Sequence, residues 1–318
     1  MDAVPEQTVC RMPRVRRGYN LRRAIWQNWQ LYLLIAPVVA YFIIFHYVPM
    51  YGVQIAFKDF IATKGITGSP WVGLKHFDRF FQSYYAWRLI SNTISISLYQ
   101  LLVGFPVPII LAILINEVKS TKFKKLVQTV TYAPHFLSAV VLVGLLLTFL
   151  SPRNGIINEI IVAFGGSPVF FMNEPGWFKT LYVFSDIWQN AGWASIIYIA
   201  ALAGIDPQLY EAAVMDGANK LQKIRHITIP CLMPTAIILL ILNLGHVMSI
   251  GFEKVFLMQN DLNLDASEVI STYVYKKGLV GAQYSFTAAV GLFNSAVNFV
   301  LLLAVNSASK RISKTSLW

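Results

Sequence analysis

Six long apolar segments constrain this chain more than any other feature of its sequence. A transmembrane helix needs about 20 consecutive apolar residues, and each of the six segments is long enough. They comprise residues 30–50, 87–115, 127–150, 178–204, 227–252 and 284–307. With 56% hydrophobic and 13% charged residues, the 318-residue chain is too apolar for an ordinary soluble domain. The sequence therefore predicts an all-α polytopic membrane protein with six transmembrane helices.

The positive charges indicate which side of the membrane each loop faces. Lys and Arg total 26, and 16 of them lie in residues 1–29, 116–126, 205–226 and 308–318. Because cytoplasmic loops carry the excess of Lys and Arg, both termini and the loop at 205–226 are predicted to be cytoplasmic. This orientation also accounts for the net charge of +11, which gives no reason to expect a nucleic-acid partner.

The segments and loops divide the chain into five predicted parts. They are a basic cytoplasmic N-terminal tail at 1–29, a first transmembrane helix at 30–50, an extracytoplasmic loop at 51–86, a five-helix core at 87–307 and a cytoplasmic C-terminal tail at 308–318. Pro134 is expected to kink or interrupt the third span. The two cysteines, Cys10 and Cys231, are too few for a disulfide framework or a four-ligand zinc site, and no metal site is predicted.

The cytoplasmic loop between the fourth and fifth segments carries the signals of two short helices joined by a turn. Asp206 can cap the free amides of a helix start, and Pro207 fits the first helical position because its missing N–H would be unpaired there. A helix is predicted over 207–215. Gly217 can adopt the left-handed backbone that ends this helix before a second one over 218–226.

The same loop holds apolar side chains close to a charged surface. Leu209, Tyr210, Val214 and Met215 fall within one short helix. Exposed apolar patches of this kind mark a partner site, whereas an amphipathic helix at rest on the lipid surface would carry the same residues. The residue types leave these two interpretations equally open.

Three strings in and after this loop carry a resemblance to a known family. They are Glu211-Ala212-Ala213, Asp216-Gly217-Ala218 and Ile227-x-Ile229-Pro230. Together they resemble the EAA signature of permease subunits in binding-protein-dependent ABC importers, although the family consensus has Leu where this chain has Ile229. The resemblance implies a type I importer permease fold in which residues 205–226, hereafter the coupling loop, dock in a cleft of a cytoplasmic ATPase. The implied ATPase-coupling residues are Tyr210, Glu211, Ala212, Ala213, Met215, Asp216, Gly217 and Ala218.

A softer resemblance extends through the last two spans. Residues 251–256, 270–275 and 284–289 and the closing Leu317-Trp318 are similar to the carbohydrate-importing subgroup, in particular to permeases for lipo-oligosaccharides and for polysaccharides such as alginate. The subgroup implies a saccharide substrate, an extracytoplasmic solute-binding protein, a second permease subunit that is similar but not identical, and two ATP-binding cassette subunits. It also implies a bacterial plasma (inner) membrane location.

Polar residues within the spans are candidates for a translocation path, because such groups tend to face the bundle interior or a wet cavity. The candidates are Trp188, Gln189, Asn190 and Trp193 in the fourth span, Asn243, His246 and Glu253 along one expected helical face of the fifth, and Asn294 and Asn298 along one face of the sixth. Aromatic faces and amides together suit a sugar. An interfacial aromatic belt with amides that join helices is the alternative.

The chain contains no nucleotide-binding loop of the G-x-x-x-x-G-K-[ST] type. A transporter subunit without its own ATPase site is therefore predicted, with no catalytic residues and no bound cofactor, and with ATP and Mg on partner subunits. The sequence also lacks H-E-x-x-H and G-x-S-x-G, which argues against a membrane hydrolase. An ion-coupled secondary carrier for a polar small molecule is the alternative, although such carriers usually show internal repeats.

Overall fold

The computed structural model describes Trp26 and residues 28–313, and within this part the backbone is mostly helical. The predicted N-terminal tail falls almost wholly outside the described residues, as does Leu317-Trp318. The α-helices are α1 (Trp29–Phe42), α2 (Val48–Met50), α3 (Gly65–Gly68), α4 (Lys75–Phe81), α5 (Tyr84–Tyr99), α6 (Pro106–Glu117), α7 (Thr121–Tyr132), α8 (Ala139–Phe149), α9 (Ile156–Ala163), α10 (Pro175–Ala203), α11 (Pro207–Met215), α12 (Lys220–Lys223), α13 (Ile229–Leu244), α14 (Phe252–Met258), α15 (Leu264–Ser267), α16 (Ile270–Val274) and α17 (Tyr284–Ser313).

Several α-helices continue directly into π-helical or 3-10 turns. The π-helical turns are Ile43–Tyr47, Gln100–Gly104, Ile224–Thr228 and Tyr275–Val280, and the 3-10 turns are Tyr51–Phe57 and Ala133–Phe136. Lys58 and Trp71 form an isolated antiparallel bridge in the described part of the chain. A helix satisfies its own backbone N–H and C=O groups, which is why a chain this apolar adopts helices to cross lipid.

The described residues fall into two compact units that meet in sequence between Gln54 and Ile55. The first unit contains α1, its π-helical continuation and α2, and it corresponds to the predicted first span. The second unit contains α3 to α17 and the core of the protein.

Among the described residues, four helical stretches are long and apolar enough to cross a membrane. They are Trp29–Phe57, Tyr84–Glu117, Lys220–Leu244 and Tyr284–Arg311, and they coincide with the first, second, fifth and sixth predicted segments. The predicted fourth span lies in α10, which has 29 residues and is long enough, but its polar side chains make it less apolar. A bent helix pair adds a fifth stretch if the pair is one span, so the count of six stays a prediction.

The bent pair occupies the predicted third span. Thr121–Phe136 and Ala139–Phe149 meet at 101°. Pro134 has no N–H to donate, and it lies in the 3-10 turn where the first helix ends. Ser138 then starts α8, because its side chain accepts a hydrogen bond from the amide of Val141. The expected interruption at Pro134 is therefore confirmed, and the third segment is two helices rather than one.

The fifth span ends earlier than predicted, at Leu244 rather than at residue 252. Residues 245–248 form a turn, and a side chain on another helix binds it. Asn298 on α17 accepts a hydrogen bond from Met248 N at 2.9 Å and donates one to Ser249 Oγ at 2.8 Å. The expectation that Asn243, His246 and Glu253 lie along one face of a single helix is therefore wrong.

The helix α10 lies at the centre of the second unit and contributes to two of the three apolar clusters that its described residues form. One cluster joins α10 to α5, α8 and α14 through residues that include Val183 and Val255. Another joins α10 to α6 and α13 through residues that include Tyr198 and Leu232. Gly192 lets α7 approach so closely that a Cβ at this position would lie 2.0 Å from the carbonyl oxygen of Thr131.

Candidate coupling loop and translocation cavity

The first helix of the coupling loop begins as its sequence predicts. Asp206 precedes α11, and its Oδ1 accepts a hydrogen bond from the amide of Gln208 at 2.9 Å. Pro207 takes the first helical position. These two residues start the helix, which then covers Pro207–Met215 as expected.

The end of α11 depends on one glycine. Gly217 has a φ of +77°, in the left-handed region that residues with a Cβ adopt only with strain. The amide of Ala218 donates to Ala213 O at 2.8 Å, and the amide of Gly217 donates to Val214 O at 3.0 Å. This pair of bonds is a Schellman motif, which satisfies carbonyls that a helix end leaves free.

The second helix of the loop begins at Lys220, two residues later than predicted. Asn219 Oδ1 accepts from Gln222 N at 2.9 Å, and Gln222 Oε1 accepts from Asn219 N at 2.7 Å, which is a capping box. From Lys220 the chain stays helical through the π-helical turn to Leu244, over 25 residues. The second helix of the coupling loop is therefore the beginning of the stretch that forms the fifth predicted span.

The eight predicted coupling residues lie together on this exposed loop. Met215 is 87% exposed and Val214 is 56% exposed. Tyr210 is half-buried, and its hydroxyl hydrogen-bonds Thr228 Oγ1 at 3.0 Å. Glu211 and Asp216 are exposed. The loop thus presents an apolar patch beside two carboxylates, which is a surface suited to a protein partner. Its contact with an ATPase stays a prediction.

A cavity of about 420 Å³ lies within the second unit, lined by residues of α5, α6, α10, α13 and the turns after α13. Three predicted path residues, Asn190, Asn243 and His246, line it. Their amides and imidazole offer donors and acceptors of the kind that bind hydroxyl groups. The cavity is therefore lined by three of the nine residues predicted for the translocation path.

The other predicted path residues do not line this cavity. Trp188 is exposed, Gln189 Nε2 donates to Leu137 O at 2.8 Å, and Trp193 stacks on His135 at 4.7 Å between ring centroids. These contacts fit the helix-joining role that was the alternative.

The remaining three candidates have different surroundings. Glu253 is exposed in the first turn of α14, and Asn298 holds the turn after α13. Asn294 Oδ1 is buried and has no hydrogen-bond partner among the described residues. The structure thus brings Asn190, Asn243 and His246 together and leaves these three outside the cavity wall.

Asp186, a carboxylate that is not among the nine candidates, lines the cavity and accepts two side-chain hydrogen bonds. Asp186 Oδ2 accepts from Gln100 Nε2 at 2.7 Å, and Asp186 Oδ1 accepts from Asn190 Nδ2 at 3.1 Å. Lys254 Nζ lies 3.6 Å from Asp186 Oδ1. Asn190 Oδ1 continues the network to His135 Nδ1 at 2.9 Å.

Lys254 is the buried cation of this network. It is 7% exposed, its Nζ donates to Tyr182 O at 3.0 Å, and the Nζ lies 4.7 Å from the Tyr182 ring centroid. A buried charge needs a partner of opposite sign, and Asp186 supplies it. Asp186 and Lys254 are far apart in sequence, so no local pattern pairs them. Asp186 itself could have been selected from the sequence, because it is an ionisable residue inside an apolar segment.

The comparisons with known proteins identify the family. Residues 104–314 match the model of the family described as "Binding-protein-dependent transport system inner membrane component". The chain belongs to this family. The prediction that the chain is an importer permease and the prediction that it lies in the inner membrane are thereby confirmed.

Two curated relatives of this permease come from Bacillus subtilis (strain 168). The polygalacturonan/rhamnogalacturonan transport system permease protein YteP is 45% identical over 303 residues, which cover 95% of this chain and 94% of the relative. Protein LplB is 39% identical over 318 residues, which cover 100% of both chains.

A solved structure shares the fold of this permease. A chain of a bacterial alginate ABC transporter, in complex with an alginate pentasaccharide-bound periplasmic protein, has a TM-score of 0.87 and 43% identity, and the match covers 93% of this permease and 99% of that chain. The predicted all-α type I importer permease fold is therefore confirmed.

Proposed function

We propose that this permease forms the translocation path for ATP-driven import of an oligo- or polysaccharide delivered by a solute-binding protein. One observation carries the proposal. The likeness to YteP, which its name assigns to polygalacturonan and rhamnogalacturonan, extends over 95% of the chain. A second solved structure, of a bacterial ABC transporter involved in the import of the acidic polysaccharide alginate, is similar over 92% of the chain.

The exposed coupling loop is consistent with ATP hydrolysis by a separate subunit that docks on it. In the proposal, Met215, Glu211 and their neighbours dock on one of two ATP-binding cassette subunits, which bind ATP and Mg, while this chain binds no cofactor and hydrolyses nothing. A second permease of similar but not identical sequence completes the path. Both termini and the coupling loop face the cytoplasm, as the distribution of Lys and Arg favours.

The cavity of about 420 Å³ supports a path for a hydroxylated substrate. Asn243 and His246 line it with polar groups, and the negative charge of Asp186 has Lys254 at 3.6 Å. Because Lys254 neutralises Asp186, the cavity wall would not repel an acidic saccharide through an uncompensated carboxylate. Hydrogen bonds to hydroxyls would supply the contacts.

Reconstitution tests the proposal. Proteoliposomes that contain this permease, its second permease, the ATPase subunits and the binding protein should take up oligogalacturonate only with ATP inside. The same vesicles should respond more weakly to a neutral oligosaccharide. Uptake driven by a pH or sodium gradient without the ATPase subunits would contradict the proposal and favour a secondary carrier.

Two asparagines provide a matched test of the cavity. Asn243→Leu should raise the saccharide concentration needed for half-maximal uptake, because Asn243 lines the cavity. Asn294→Leu makes the same chemical change outside the cavity wall and should leave that concentration unchanged. Unchanged values in both variants would remove the cavity from the path.

A further inference from the structure

A second cavity, of about 800 Å³, lies apart from the translocation cavity, and the two share no lining residue. Its walls come from α4, the start of α5, α16 with its π-helical continuation, and the first turn of α17. The spanning stretches Tyr84–Glu117 and Tyr284–Arg311 both begin at this cavity. It is therefore positioned at the predicted extracytoplasmic boundary of the membrane.

The lining of this boundary pocket is cationic. It includes Lys75, Arg79 and Lys277 and one carboxylate, Asp78. Lys75 has a partner elsewhere, because its Nζ donates to Asp59 Oδ2 at 2.7 Å. That hydrogen bond holds the pKa of the Asp59 carboxyl below its usual value. Arg79 and Lys277 are the two cations that remain.

Neither of these two cations forms an ion pair with any residue that the structure describes. Arg79 is nevertheless held in place, because its Nη2 donates to Gln283 Oε1 at 3.0 Å and its Cζ lies 4.7 Å from the Phe286 ring centroid. Lys277 Nζ lies 6.0 Å from the Tyr273 ring centroid. The pocket thus presents two positive charges on aromatic faces with most of their N–H donors free.

The surroundings of the pocket match the depth of lipid headgroups. Tyr85 and Tyr273 line it, and tyrosines are enriched where spans enter the headgroup region. Tyr84 and Phe81, beside the pocket, are 87% and 52% exposed. Their rings would contact the upper part of acyl chains, while a phosphate above them would reach the guanidinium of Arg79 and the ammonium of Lys277.

We infer that this boundary pocket binds the headgroup phosphate of an anionic phospholipid. Arg79 supplies a fixed fork of donors, Lys277 supplies a second positive charge, and the exposed rings of Phe81 and Tyr84 cover the start of the acyl chains. A carboxylate of a saccharide or of a binding protein could meet the same cations. The lipid is favoured because the pocket lies at the ends of two spans and shares no wall with the translocation cavity. The inference does not depend on the transported substrate.

Lipid retention tests the inference. The full permease, with the subunits that co-purify with it, is reconstituted in nanodiscs of phosphatidylcholine mixed with phosphatidylglycerol and then extracted into mild detergent. Native mass spectrometry counts the retained lipids. The wild type should retain phosphatidylglycerol in preference to phosphatidylcholine. The preference should fall roughly fivefold for each charge removed in Arg79→Gln, in Lys277→Gln and in the double variant.

Lys64→Gln is the matched control, because it removes an exposed cation of the same predicted extracytoplasmic loop outside the pocket. It should retain phosphatidylglycerol like the wild type. Arg79→Lys keeps the charge without the guanidinium fork, so it should bind better than Arg79→Gln even if Arg79→Gln folds poorly. Unchanged lipid preference in the double variant would overturn the inference. If the double variant kept its lipid preference but bound oligogalacturonate or the solute-binding protein more weakly, the inference would also be overturned, and the two cations would belong to that ligand's site.

Discussion

The coupling loop and the network around Asp186 are built in opposite ways. The hydrogen bonds that cap the two helices of the loop join residues two to five positions apart, such as Gln208 to Asp206 and Ala218 to Ala213. The network joins residues as far apart as Gln100 and Asp186, which are separated by 86 positions. The loop can therefore form before its partner arrives, whereas the network exists only when the helices are assembled.

This difference predicts how the two regions respond to substitution. A change in the network should lower the stability of the whole bundle. A change in the loop should leave the bundle stable and alter only what the loop contacts.

Asp186→Leu should have the largest effect. It leaves Lys254 buried without a carboxylate, and removing one partner of a buried pair costs about 3–5 kcal/mol. The low end, about 3 kcal/mol, is expected because the Asp186 side chain is 22% exposed. Thermal unfolding in nanodiscs would measure the loss. The double variant Asp186→Leu with Lys254→Met should lose less than the two single losses together, and strict additivity would contradict the pairing.

Gly192→Ala tests the packing that supports the network. The new Cβ would lie 2.0 Å from Thr131 O, so α7 and α10 must separate at an expected cost of about 1–3 kcal/mol. Gly176→Ala is the control on the same helix, because nothing lies within 4 Å of its Cβ position. It should be neutral or slightly stabilising. Equal unfolding temperatures for the two variants would contradict the close approach.

Gly217→Val should have the smallest effect on stability and a large one on transport. A Cβ there meets nothing within 4 Å, so the cost is only the strain of a left-handed backbone, about 1–2 kcal/mol, confined to the loop. Insertion and unfolding temperature should stay near those of the wild type, while ATP hydrolysis should no longer drive uptake. Uptake assays beside ATPase assays would measure this.

Gly165→Val is the matched control for that variant. Gly165 has a φ of +85° and also has nothing within 4 Å of its Cβ position. It lies between the third and fourth predicted segments, on the predicted side of the membrane opposite to the coupling loop. It should carry the same strain without uncoupling. Normal uptake by Gly217→Val would contradict the coupling role.

The parts that the sequence predicted well are those whose determinants are close together. Asp206, Pro207 and Gly217 predicted the bounds of α11, because caps and glycine turns act within a few residues. Pro134 predicted an interruption, but the 101° bend depends on how α7 and α8 pack.

The rest depended on contacts between distant residues. The fifth span was predicted to continue past Leu244, since nothing local shows that Asn298 on another helix will satisfy the backbone of Met248. The pairing of Asp186 with Lys254 was missed for the same reason. Asn190, Asn243 and His246 were selected as polar residues in apolar segments, and three of the nine candidates proved to line the cavity.

The continuous helical stretch that follows Asn219 would act as a lever between the coupling loop and the cavity. Its 25 residues, Lys220–Leu244, span about 37 Å at 1.5 Å per residue. A tilt of about 5° at the capped end would displace the far end by about 3 Å, which is the length of a hydrogen bond. Asn243 is at that far end, on the cavity wall. A movement too small to disturb the helix itself would therefore be enough to make or break a contact with the cargo.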